Sequence, residues 1–470
     1  MVETNQISEE ELKANARKTS VQEGAIYSVS EGFGFRNITP YALAIGANNF
    51  HIGLINSIPT LIGNLAQLIS AKLTGKYSRK NIVVLSSFLQ AFIWLAMLIP
   101  GVLYFYFNPT NPILSSPNVL IFIYTFLILF GASAGPAWSS WMKDLVSSRE
   151  SRKYFGHRNR IAGTVALISM LIAGFVLDYF KDTKIFIAFI ILFSFSFIAR
   201  AISAYLLTKK YEPHLKHEKE HHFSFFSFIK KMHSNNFGRF VIFVSLISLA
   251  TSIAAPFFAV YMLKNLGFES ITLGYFFYFT ITLSSSLASL LFMPMWGKFA
   301  DKYGNFKIMK MTGLFIPMIP LLWVFSVFLK ETLLFLIIFL FIVEAISGLF
   351  WGGFNLSTGN FIYDAVTREK MAQCIAYFNV INSIGVFIGA MLGGILASLN
   401  INFYFISPLI FIFLVSGVAR FIVYFSLSKK ITEVRGEVEE FNHKGLTSLF
   451  KLRRLAFSDT ILNKINKPRG

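Results

Sequence analysis

Ile198-Ala199-Arg200 and Lys209-Lys210 close a stretch that begins at Asp144, and the same spacing returns 220 positions later as Asp364, Val418-Ala419-Arg420 and Lys429-Lys430. Between these anchors Val146 matches Val366 and Asn159 matches Asn379, with no gap. Both copies carry long apolar runs, so the repeated unit belongs in a membrane and not in a soluble solenoid. A membrane chain made of two like halves is the common layout of a secondary transporter, whose binding site lies near the midplane where the halves meet.

Composition points the same way. The chain is 54% hydrophobic with Phe present 54 times, against roughly 45–50% apolar residues in soluble domains. The net charge of +19 comes from Lys and Arg placed in loops between apolar runs. That placement reads as a multi-pass membrane protein with cationic cytoplasmic loops, not as a nucleic-acid binder. The single Cys374 excludes an intrachain disulfide and a Cys-based metal cluster. The N-terminal segment carries Glu9, Glu10, Glu11, Lys13, Arg17 and Lys18 and no apolar core, so no cleavable signal peptide is expected. Ser8 with Glu11 predicts a capping box on a short surface helix.

A spanning helix needs about 20 mostly apolar residues. Twelve such stretches lie near 25–47, 53–73, 82–106, 118–141, 159–179, 185–207, 238–263, 271–296, 307–328, 333–357, 373–397 and 403–427. Glu31, Arg36 and Asn37 interrupt the first, and Pro40 predicts a kink there. Cations alternate loop by loop, which predicts both termini in the cytoplasm of a cell-membrane protein. The organisation expected is a cytoplasmic segment 1–24, a six-helix bundle 25–207, a cytoplasmic linker 208–237, a second bundle 238–427 and a cytoplasmic tail 428–470. Within the tail, Leu446, Leu449, Phe450 and Phe457 alternate with Lys451, Arg453 and Arg454, a pattern suited to an anionic leaflet or to a solubilising tail.

Ionisable residues inside spans carry the most information, because a charge there costs about 2.5–3.5 kcal/mol or more. Glu344, Gly348, Trp351 and Asn355 share one helical face by spacing. Glu31 and Arg36 are further inward candidates, although five residues apart they do not share a narrow face. Glu344 reads either as a cavity group or as a structural carboxylate paired with a neighbouring helix. Asn379, with Asn159, and Asn382 read as interhelical hydrogen-bonding groups or substrate contacts. Arg200 and Arg420 are expected to snorkel to the inner interface. Gly385, Gly389 and Gly393 form a small-residue stripe for close helix packing.

After span eight, Gly297-Lys-Phe-Ala-Asp301-Lys302-Tyr-Gly304-Asn-Phe-Lys307 resembles the loop motif of the major facilitator superfamily. The matching loop after span two departs from it, with Gly75 where the Asp is expected. Gly135-Pro-Ala-Trp-Ser-Ser-Trp-Met-Lys-Asp144, Tyr154-Phe-Gly-His-Arg158-Asn159-Arg160 and Gly353-Phe-Asn-Leu-Ser-Thr-Gly-Asn-Phe-Ile-Tyr-Asp364 are similar to a prokaryotic subgroup without an assigned substrate. The resemblance implies an all-α membrane fold of twelve helices in two pseudo-symmetric six-helix bundles. It also places Glu344 on a helix lining the central cavity, and it implies no particular cargo. Ile161–Asp178 lacks the proline of the drug–proton antiporter motif.

A carboxylate at a cytoplasmic helix end can accept from the free N–H groups of a neighbouring helix start or pair with a loop Arg. Asp301 is therefore expected to act as a conformational latch toward span five near Arg158 and Arg160. Asp144 and Asp364 are expected to pair with Arg and Lys of their own loops. His217-Glu-Lys-Glu-His221-His222 resembles one histidine box of di-iron desaturases, but those need several boxes and this chain has eight His in all. No Walker loop is present. The expected protein is a non-enzymatic, monomeric, cofactor-free transporter of a small solute, working by alternating access in the lipid bilayer. A proton gradient acting through Glu344 or Glu31 is the expected drive. The alternative is a receptor or scaffold that kept the fold.

Overall fold

The computed structural model describes residues 8–73, 76–107, 111, 114–147, 150–182, 184–213, 224–367, 370–399, 407–436 and 438. The His217–His222 cluster, Gly75 and the amphipathic tail lie outside the described residues. Among the described residues the secondary structure is all helical. In order the helices are α1 (Glu9–Phe33), α2 (Ile38–Ala44), α3 (Asn49–Leu73), α4 (Arg79–Ala96), α5 (Ile99–Val102), α6 (Ser116–Leu145), α7 (Ser151–Phe180), α8 (Ile185–Lys209) and α9 (Phe225–Lys231). They continue as α10 (Asn236–Ser252), α11 (Phe257–Val260), α12 (Gly274–Tyr303), α13 (Asn305–Phe315), α14 (Met318–Val324), α15 (Leu333–Ala365), α16 (Met371–Ala397) and α17 (Pro408–Leu427).

Among the described residues ten helical segments are long and apolar enough to cross a membrane. The α1–α2 pair, diluted by Glu23, Glu31 and Arg36, and α3, diluted by Asn49, His51, Asn56 and Asn64, are consistent with the remaining two places of a twelve-span pattern. Outward faces of the apolar helices leave residues such as Leu85, Phe92, Phe122, Leu291, Leu334 and Ile422 exposed, and hydrocarbon is the solvent that accepts such faces.

Helix α1 shows how local chemistry sets a boundary. Ser8 accepts the N–H of Glu11 at 3.2 Å, and Glu9, Glu10 and Glu11 sit in the first turn, where the helix dipole favours acid. The short surface helix expected at the N terminus is therefore corrected: it runs without a break into the first span. Helix α1 stops at Gly34, where the Trp94 ring occupies the space a side chain would need. A 3-10 turn, Phe35–Asn37, follows. Asn37 Nδ2 donates to the carbonyls of Gly32 (3.0 Å) and Phe33 (2.9 Å), which the helix end leaves free. The break precedes Pro40, which lacks the N–H needed to continue the ladder.

The described residues group into two compact units, and the grouping differs from the two sequence halves. The first takes in Met1–Lys219, Ser248–Thr280 and Ala376–Ser416; the second Glu220–Ile247, Ile281–Ile375 and Gly417–Gly470. In the first, α1 packs on α7 and α8, α3 on α6, and α4 on α6 and α8. Its core includes Ala16, Val83, Ala137, Trp141, Met142 and Leu207. Also within it, Gly389 and Gly393 lie so close to the end of α10 and the residue after it that an added Cβ would meet the Leu249 and Ile253 carbonyl oxygens at 2.1 Å each. In the second unit α13 packs on α15, around Trp296, Phe299, Ala300, Tyr303 and Ile308.

The two arginines expected to snorkel are instead buried. Arg200 bonds Ser203 (3.1 Å) and Ser87 (2.9 Å) and lies over the Tyr27 ring at 4.6 Å. Arg420 donates to the Ile316 carbonyl at 3.2 Å. Both guanidinium groups donate to interior acceptors instead of reaching the lipid headgroups, although Arg200 Nε finds no acceptor among the described residues.

Candidate functional site

On the first unit, α1 presents Glu23, Tyr27 and Glu31 at four-residue spacing, and hence on one face. The 3-10 turn after Phe33 folds Arg36 back toward Glu31, and the pair meets at 3.7 Å with side chains 48% and 37% exposed. Spacing alone separates these two residues; the turn brings them together.

Glu23 is a buried carboxylate that the sequence reading left outside the first span. It accepts from the Ser203 hydroxyl at 2.9 Å and pairs with Arg158 at 3.4 Å. Arg158 also donates to the Ser20 carbonyl at 3.2 Å and lies 4.7 Å over the Trp138 ring. Its guanidinium occupies the place where residue 24 would carry a side chain, which is why glycine stands there. Through Ser203 the chain of contacts continues to Arg200 and Ser87. Arg158 thus belongs to an interhelical network of α1, α4, α7 and α8, whereas Arg160 is exposed. The four-residue spacing of Glu23, Tyr27 and Glu31 is the signal that reveals this face.

Just past α8, Lys210 is fully buried with its Nζ 3.0 Å from Met142 Sδ and 4.2 Å from the Trp141 ring centre. Burial pushes its ammonium down to about 7, with the Glu23 carboxylate opposing that shift.

Glu344 lies on α15 in the second unit, beside the Ser285 hydroxyl and the Trp323 indole. Its expected stripe divides. Gly348 is pressed against Ser285 of α12, where an added Cβ would meet the carbonyl oxygen at 1.9 Å. Trp351 stands edge-on to Phe354 with centroids 5.6 Å apart, and Asn355 is exposed. One end of the stripe is a helix contact and the other is open. Asn379 and Asn382, on the part of α16 that belongs to the first unit, are half-buried. The Oδ1 of Asn382 finds no donor among the described residues.

At the helix ends the two halves repeat one device. Asp144 binds Arg79 at 2.6 Å, while Glu212, just past α8, accepts the Arg79 N–H at 2.9 Å and so caps α4. The Arg79 guanidinium is 1% exposed and also donates to the carbonyls of Ser140 (3.1 Å) and Pro213 (2.8 Å). In the second half Asp364 accepts from Asn305 Nδ2 at 2.6 Å, and Glu433, just past α17, accepts the Phe306 N–H at 2.7 Å and caps α13. Arg435 supplies the cation, 3.0 Å from Asp364 and 3.5 Å from Asp301. The expected partners are corrected accordingly: among the described residues Asp144 pairs with Arg79, the first residue of α4, and Asp364 with Arg435 past α17, instead of with cations of their own loops.

The loop motif gains a physical reading from this device. Gly304 has φ +90°, the left-handed region that favours glycine. A Cβ there would also meet the Glu433 carboxylate at 2.2 Å. Gly304 is thus what lets Glu433 reach the start of α13. Gly297 faces open space, Lys302 lies 5.3 Å from the Tyr303 ring centre, Lys307 is half-buried, and Asp301 is 82% exposed.

The family model described as Major Facilitator Superfamily matches residues 25–355 and 286–463. The chain belongs to the major facilitator superfamily. No curated protein matches the chain. Among solved structures, a variant of the nucleoside transporter NupG has 13% identity and a TM-score of 0.67, over 90% of this chain and all (100%) of the other. A bacterial homologue of the iron transporter ferroportin, inward-facing, has 11% identity and a TM-score of 0.63, over 88% and 99%. A bacterial homologue of the human lysosomal transporter Spinster, inward-facing and unoccupied, has 12% identity and a TM-score of 0.60, over 89% and 98%. At these identities the likeness establishes the fold. This superfamily member is a multi-pass, non-enzymatic membrane protein whose family membership supports transport of small solutes.

Proposed function

We propose that the chain moves a small solute across the cell membrane by alternating access, with a proton gradient as the drive through Glu344 or Glu31. The observation that carries this reading is costly charge kept within the spans: Glu31 with Arg36 on one repeat half and Glu344 on the other. A receptor or scaffold gains nothing from that cost. The ferroportin homologue is known in inward-facing and outward-facing forms, which supports a two-state cycle in this fold. The nucleoside and iron named for the relatives are their cargoes, and identities of 11–14% carry neither across.

In this reading Asp301 and its motif neighbours act at the cytoplasmic ends, together with Asp144, Asp364 and the Arg158 region. Uptake and efflux in proteoliposomes, screened across solute classes under imposed proton gradients, tests the function. Movement of one class is expected. Folded protein that moves none of them favours the receptor reading.

The orientation has its own test. In a Cys374→Ala background, a cysteine at Asn111 should react with an impermeant maleimide from outside intact cells, and one at His217 should not. Outside labelling at position 217 overturns cytoplasmic termini.

A further inference from the structure

The end of α7 belongs to the first repeat half and the start of α12 to the second, yet both lie in the first compact unit. The Asp178 carboxylate, 6% exposed, accepts the N–H of Tyr275 at 3.1 Å through Oδ1 and of Phe276 at 2.8 Å through Oδ2. These are the free amides of the first turn of α12, the positive end of its dipole. Lys181 sits 3.5 Å from Asp178 and donates to the Ile271 carbonyl in the turn before α12. Leu273, one residue before α12, has φ +57°. That is a strained conformation for a branched side chain, and it lies where the chain turns to present the amides. Next to the carboxylate, Phe175 stacks on Phe276 with centroids 4.4 Å apart. A Cβ on Gly174 would meet Phe276 Cα at 3.0 Å, so the helices touch backbone to backbone.

The internal repeat supplies the mirror of this junction. Asn159 on α7 matches Asn379 on α16, and α3 and α12 follow the first span of their respective halves. The mirror of α7 against α12 is therefore α16 against α3. Asn49 Nδ2, at the start of α3, donates to the Ala397 carbonyl at the end of α16 at 2.8 Å. Close by, a Cβ on Gly53 would meet the Ala390 oxygen at 2.7 Å and Gly394 Cα at 3.1 Å. Both junctions bridge the halves at the span ends opposite the termini. One is held by a carboxylate that accepts and the other by an amide that donates.

We infer that Asp178 is the clasp of a seam formed by these two junctions, and that this clasp must release for the non-cytoplasmic face to open. The inference rests on the alternating-access reading. A carboxylate on backbone amides suits a reversible clasp. Water can replace every contact on opening, and the contacts are restored without a covalent step. The apolar stack of Phe175 on Phe276 adds contact to the closed seam but has no such exchange partner.

The test reads the seam at its other junction, away from Asp178. In the full-length protein with Cys374→Ala, cysteines replace Phe50 and Gly394. A Cβ on Gly394 lies 3.4 Å from Phe50 Cα, close enough for a disulfide. Brief oxidation in membranes gives the cross-linking rate, and an impermeant maleimide counts the thiols that open to the outside. Asp178→Ala should slow cross-linking on the order of fivefold, the effect of losing a helix cap, with a matching rise in maleimide reaction. Asp178→Ser, which keeps one capping oxygen, should fall between that variant and the parent. Should the alanine variant fail to fold, the serine variant alone decides the matter by the same comparison. Rates equal to the parent overturn the clasp. If the parent pair itself is wholly cross-linked and never reacts with maleimide, alternating access is what fails, whatever Asp178 does.

Discussion

Replacing Arg79 by alanine is expected to lower the stability of the first unit by about 3 kcal/mol, seen as a fall of several degrees in the thermal midpoint of purified protein. The guanidinium is 1% exposed and holds Asp144 at 2.6 Å, with two carbonyls and Glu212 around it. Its removal takes the guanidinium donor from Asp144 and the two carbonyls, while Glu212 keeps the backbone N–H groups of residues 79 and 80, and it loosens the residues just past α8 from α4 and α6. The second half provides the control. Arg435 takes the equivalent place but is 34% exposed, and of its partners Asp364 is 19% and Asp301 82% exposed. A cation open to solvent contributes less than a buried one, so Arg435→Ala should lower the midpoint by clearly less than Arg79→Ala. Equal shifts for the two variants would show that burial of the cation does not set the stability of this device.

Glu344→Gln is expected to abolish accumulation of cargo driven by a pH gradient while exchange of cargo between the two sides persists. Glutamine keeps the shape of the side chain beside Ser285 and Trp323 but cannot gain or lose a proton. Charge inside a span costs about 2.5–3.5 kcal/mol or more, so a carboxyl that loads a proton from one side and unloads it to the other ties protonation to access. Proteoliposomes with imposed gradients separate accumulation from exchange. Accumulation that survives the substitution removes Glu344 from coupling and turns attention to Glu31, whose partner Arg36 lies 3.7 Å away.

Local pattern was enough to show the repeat, the apolar spans and the membrane class. Each depends on spacing along the chain and on composition, and a bilayer demands long continuous helices whatever their neighbours are. The motif at the junction of α12 and α13 was legible too, because Gly304 answers a local backbone need at φ +90°. Partners across helices were not legible. Arg200 and Arg420 look like snorkelling residues at a span end, and only the packing of α8 on α4 and α1, and of α17 on the span that holds Ile316, shows interior acceptors for them.

Glu23 illustrates the limit most directly. Its neighbours in sequence are polar, so it reads as part of a surface segment. Yet α1 runs unbroken into the membrane and carries it to Ser203 and Arg158, 180 and 135 residues away. The Glu31–Arg36 pair needs a 3-10 turn that forms where Trp94 crowds Gly34, and Asp178 needs the start of a helix from the other half. Sequence by itself determined what can span, where it repeats and which charges are out of place in lipid, because those follow from the chain's own period and solvent. Only the tertiary structure decided which charge meets which, because a carboxylate is satisfied by whatever donor the fold brings within about 3 Å.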